Sequence, residues 1–112
     1  MKKSLVLLFT LTSCFPATTI WAQSPASNQA ARLAFSNNGC ESCHAVSDRT
    51  VGPGLQEIAA HYKGQKVSAE LAARIRTGSE GRWGSMPHPA NEALDPKEAA
   101  LMARWILAGA PN

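Results

Sequence analysis

The residues best placed to do chemistry are Cys40-Glu41-Ser42-Cys43-His44. Two thiols three positions apart, followed at once by an imidazole, form the spacing of a c-type haem attachment site. Each thiol adds to a haem vinyl group, and the imidazole held beside them lies under the iron as its proximal ligand. Two other chemistries use a Cys-x-x-Cys pair. A redox dithiol belongs beside a βαβ pattern, and nothing in this chain alternates strands with helices. A zinc site needs a partner cluster, yet the remaining histidines, His61 and His88, come with no second cysteine pair. The stretch therefore reads as haem attachment, with Cys40 and Cys43 bonded to the porphyrin and His44 on the iron.

The chain that positions this motif opens with an export signal. Lys2 and Lys3 precede a short apolar run from Ser4 to Leu11, Pro16 breaks it, and Ile20-Trp21-Ala22 offers a cleavage site before Gln23. Residues 1–22 are read as a signal peptide and residues 23–112 as the mature domain. Leu11-Thr12-Ser13-Cys14 also resembles a lipobox, which would anchor the protein through a lipid on Cys14. Apolar character continues past Cys14 through Phe15 and Ile20, which favours soluble export to the periplasm. Either route removes Cys14 as an odd free thiol, as suits an oxidising compartment.

The 90 residues that remain make one domain, and so short a chain buries little apolar surface unaided. A large flat cofactor at its centre would supply much of the core. The formal charge of +3 rests on 11 Lys and Arg against 8 Asp and Glu; without Lys2 and Lys3 it is 9 against 8, or +1. That balance supports no nucleic-acid footprint, which requires a clustered basic face.

Four helices are expected. The first runs from about Gln29 to Asn38, after a small polar leader from Gln23 to Asn28, and Gly39 breaks it before the cysteines. Gly52-Pro53-Gly54 marks a turn. Leu55, Ile58, Ala59 and Tyr62 then recur at helical spacing in a second helix ending near Gly64. Ser68 is the expected cap of a third helix with Leu71, Ala72 and Ile75, closed by a left-handed Gly78. Asp95, Pro96 and Glu98 form the start of a fourth, with Leu101, Met102, Trp105 and Ile106 as its buried stripe. No run of alternating β-branched residues occurs, so the domain is expected to be all-α. The irregular stretch from Ser79 to Leu94, rich in Gly and Pro, is long enough to be functional.

Taken together, the Cys-x-x-Cys-His motif, Val51-Gly52-Pro53, the Trp83-Gly84 loop and a last helix with Trp105 resemble the short bacterial class I cytochromes c. The resemblance covers nearly the whole mature part. It implies a small cytochrome c fold, about four helices wrapped around one covalent haem, serving as a periplasmic single-electron carrier of a respiratory chain. It implies no enzymatic activity of its own, a monomer without a transmembrane span, and redox proteins as partners: a reductase, and an oxidase or dehydrogenase. An open sixth position for gas binding or catalysis, or a dedicated dehydrogenase subunit, are the alternatives.

Residue by residue, the resemblance assigns the Pro53 carbonyl to the proximal imidazole of His44, and Trp83 and Arg74 to a haem propionate. For Arg74 a merely solvated helix charge is the competing reading; Trp83, alone in a Gly-rich loop, has little but a cofactor to pack against. Phe35 and Trp105 match the crossing of the terminal helices. The family's distal ligand is a Met between two prolines, but here the segment is Trp83-Gly84-Ser85-Met86-Pro87-His88-Pro89. His88 stands between the prolines and Met86 lies two positions earlier. The prolines favour His88. On an extended segment residues two apart face one side, so Met86 remains the alternative sixth ligand. His61 is read as solvent-facing.

Overall fold

The computed structural model describes residues 23–112, so the expectations about the signal peptide and Cys14 lie outside the described residues. The architecture is all-α: α1 Pro25–Asn37, α2 Leu55–His61, α3 Ser68–Thr77 and α4 Pro96–Leu107, with a single 3-10 turn at Cys40–Ser42. Among the described residues the one β feature is an isolated antiparallel bridge between Ser79 and His88.

Helix α1 starts four residues before the expected Gln29, so Pro25 to Asn28 of the segment taken for a leader belong to it. Ser24 caps it by accepting from Ser27 N at 3.2 Å, and Pro25 takes the first helical position. There its missing N–H costs nothing and its fixed φ already suits a helix. Pro25 thus begins the helix.

Three further boundaries differ. Helix α2 stops at His61, with Tyr62 as its cap, short of Gly64. Ser68 lies inside α3, and Val67 precedes it without a side-chain cap. Gly78 has φ 78° but ψ 176°, an extended exit that throws the chain into the Ser79–His88 bridge and does not close the helix in left-handed form. In α4 the Asp95 carboxylate caps Lys97 N at 2.7 Å with Pro96 behind it, as expected.

Helix α4 packs against α1, α2 and α3 and holds the core. Its Met102, Trp105 and Ile106 are buried with Ala31, Ala34 and Phe35 of α1 and Leu55 and Ile58 of α2. Phe35 and Trp105 cross edge to face with ring centres 5.7 Å apart, the expected contact of the terminal helices. Trp105 Nε1 donates to the Pro111 carbonyl at 2.8 Å, so its buried polar atom is satisfied and the C-terminus is tied down.

Candidate cofactor site

The haem motif follows α1 directly. In the 3-10 turn the Cys40 carbonyl accepts from Cys43 N at 3.1 Å and His44 N at 3.0 Å, so both cysteines and the imidazole line one cavity. The chain then doubles back. The Cys43 carbonyl accepts from Gly52 N at 2.7 Å and from the Thr50 hydroxyl at 2.7 Å. This returns Pro53 to His44, whose Nδ1–H donates to the Pro53 carbonyl at 2.7 Å. Nδ1 being engaged, Nε2 is the nitrogen left to bind a metal, and such a bond fixes the ring and raises its basicity. Gly52 is required here because a Cβ would come within 2.5 Å of the imidazole carbon Cε1.

Burial pushes the Cys40 thiol above its ordinary pKa, with Cys43 and Glu41 adding to the rise and a backbone hydrogen bond opposing it. A catalytic dithiol requires the opposite, a thiolate stabilised near neutrality.

The other wall comes from α3 and the segment after it. Ser79 N donates to the His88 carbonyl at 3.1 Å and His88 N to the Ser79 carbonyl at 2.8 Å. Gly78 permits the approach, since a Cβ there would sit 2.6 Å from the His88 carbonyl oxygen. Arg76 secures the return, donating through Nε to the Leu94 carbonyl at 2.9 Å and through Nη2 to that of Glu92 at 3.1 Å, while Asn91 N donates to the Arg76 carbonyl at 2.8 Å. Sequence reasoning missed Arg76, because nothing in its spacing separates it from any other helix charge.

His88 is therefore delivered half-buried into the cavity facing His44, with ring centres 6.1 Å apart. Burial first, then the neighbouring His44, hold its pKa below the usual histidine value, with the Pro89 backbone partly opposing. The neutral imidazole so favoured is the form that binds a metal. Metal–imidazole bonds are about 2.0–2.1 Å and a ring centre lies roughly 1.1 Å beyond the nitrogen, so two imidazoles on opposite faces of one ion have centres about 6 Å apart. The observed pair has that separation.

Met86 is 64% exposed at the cavity rim. The expectation that it shares a side with His88 assumed an extended segment, but residues 81–86 form successive bends and the chain straightens only at Pro87.

Trp83 also lines the cavity, but the expectation that it has little else to pack against is corrected. Its ring meets His61 at 4.8 Å and Tyr62 at 6.2 Å. His61 is exposed as expected, yet it is one of three clustered aromatic rings. Arg74 is not a free helix charge: its side chain is 16% exposed, it pairs with Glu70, and Nη1 donates to the Tyr62 hydroxyl at 3.1 Å. Phe35, Leu55, Ile58, Leu71, Ile75, Met102 and Ile106 complete a cavity of about 390 Å³. Apolar walls, with two imidazoles 6.1 Å apart and an arginine and a tryptophan both beside Tyr62, match a flat apolar ring that carries a metal and anionic groups at one edge.

The sequence profile of the cytochrome c family matches residues 29–110. Cytochrome c-551 of Pseudomonas aeruginosa is 39% identical over 108 residues, covering 96% of this chain and 97% of that protein. Cytochrome c-552 of Nitrosomonas europaea is 44% identical over 78 residues, 69% of this chain and 75% of its own. The crystal structure of wild-type Nitrosomonas europaea cytochrome c552 superposes with a TM-score of 0.66 at 38% identity, covering 69% of this chain and 96% of that one.

Proposed function

The chain belongs to the cytochrome c family, as an electron carrier with covalently bound haem c, and from that premise we propose that its single haem is held by thioethers from Cys40 and Cys43 between two histidines, His44 and His88. The observation that carries this reading is the 6.1 Å separation of the two imidazole centres across an apolar cavity. When bound, the haem supplies an iron that cycles between the ferric and ferrous states. The protein's residues do the rest. Pro53 orients His44 through Nδ1, the Ser79 bridge delivers His88, and the apolar walls exclude water. Arg74 and Trp83, which both line the cavity beside Tyr62, hold the propionates, with Tyr62 orienting the guanidinium.

Two strongly donating imidazoles place the potential below that of a His/Met pair. Redox partners meet the protein through small transient contacts of the kind such carriers use, below about 1,200 Å². The domain is exported to the periplasm and works as a monomer. The charged and apolar N-terminal run supports export, and the 108-residue alignment with the Pseudomonas protein exceeds the 90 described residues and so extends into that run. Among the described residues no helix is long and apolar enough to cross a membrane.

The near-infrared spectrum of the oxidised protein tests the ligand set. A bis-histidine iron lacks the methionine–iron charge-transfer band, and its appearance would transfer the sixth position to Met86.

A further inference from the structure

The hydrogen bonds of the segment from Ser79 to Leu94 turn inward or return to α3, with one exception. Arg49 Nη1 donates to the Trp83 carbonyl at 3.3 Å, across 34 positions of sequence. Among the described residues this is the one hydrogen bond joining that segment to the half of the molecule that carries His44. Arg49 is itself held by Glu57 of α2, Nη2 to Oε1 at 2.5 Å. The Trp83 ring rests on His61 and Tyr62, at the end of the same helix. Trp83 is thus gripped at its carbonyl and at its ring, and five residues later the chain presents His88.

We propose that Arg49 is a positioning residue, a latch that keeps the His88 segment closed over the cavity and sets how often His88 leaves the iron. The inference rests on His88 being the distal ligand. Arg49 and Glu57 are 48% and 40% exposed in their side chains, and exposed pairs contribute little to global stability. Local opening is a different quantity, governed by the few contacts of the unit that opens. Residues 80–87 are exposed apart from Trp83, so one hydrogen bond is a large share of what holds them. The guanidinium is suited to the task because separate nitrogens serve carboxylate and carbonyl at once, which a lysine ammonium on a flexible stem does less well.

Carbon monoxide uptake by the reduced holoprotein reads the opening, since the gas binds only the fraction from which His88 has departed. Arg49→Gln is expected to speed uptake roughly three- to tenfold, the effect of one hydrogen bond, with Arg49→Lys between it and the wild type. Glu57→Gln, which loosens Arg49 without removing it, is expected to give a smaller acceleration and serves if the Arg49 variants mature poorly. In a His88→Ala background, where the position is already open, Arg49→Gln should change nothing. Unaltered uptake in both Arg49→Gln and Glu57→Gln, or equal acceleration with and without His88, would overturn the latch. Uptake in His88→Ala as slow as in the wild type would instead reject His88 as the ligand, and the latch with it.

Discussion

With His88 proposed as the distal ligand, the consequence is chemical. Replacing an imidazole by a thioether should raise the potential; for His88→Met a rise on the order of 0.1–0.3 V is expected, within the ~0.8 V that axial ligation spans. Voltammetry of both proteins, with the near-infrared band appearing in the variant, checks it. On the opposite face Gly52→Ala places a methyl group against the His44 ring, 2.5 Å from Cε1. An expected loss of about 1–3 kcal/mol follows from overpacking, together with a displaced Pro53 carbonyl, measurable by thermal unfolding of the holoprotein. The grouping of Cys40, Cys43 and His44 on one cavity was legible in the sequence because it depends on local spacing alone. His88 against Met86 was not, because that choice depends on which of two residues a bent loop turns inward. Tyr62 beside Arg74 and His61 beside Trp83 were illegible because those contacts join separate segments, whereas Glu70 and Arg74 stand four apart on one helix.

At the scale of elements, the segment after α3 owes its register to Gly78, whose φ of 78° and lack of a side chain let the chain approach His88. Gly78→Ala should break the Ser79–His88 bridge. The expected outcome is a loss of the low-spin six-coordinate spectrum at unchanged haem content, whereas an unaltered spectrum would show that the bridge does not deliver the ligand. The cap of α4 is a separate matter of stability. Asp95→Ala removes the bond to Lys97 N and should cost about 0.5–2 kcal/mol in denaturant unfolding without moving the potential. Helix existence was readable from apolar periodicity, and α4 from Asp95-Pro96, since these are local preferences. Pro25 shows the limit: proline both ends and begins helices, and only the cap bond from Ser27 N to Ser24 decides which.

For the molecule as a whole, the cavity lies among the residues that form the core. An unfilled apolar cavity of about 390 Å³ would cost at most on the order of 9 kcal/mol at ~24 cal/mol per Å³. That is comparable to the whole stability of a typical domain, ~5–15 kcal/mol. The Cys40→Ser/Cys43→Ser chain, which cannot retain haem covalently, is therefore expected to be largely unfolded by far-ultraviolet circular dichroism. A helical, cooperatively melting product would show that the polypeptide alone sustains the fold. By itself the sequence determined the helical class and the Cys-x-x-Cys-His motif on which the proposed attachment rests, because each follows from spacing within a few residues or one turn of helix. Which loop residue faces His44 across the cavity, how Arg49 reaches Trp83 and how Arg74 meets Tyr62 were decided only by tertiary structure, because those contacts join segments whose relative placement is set by packing around α4.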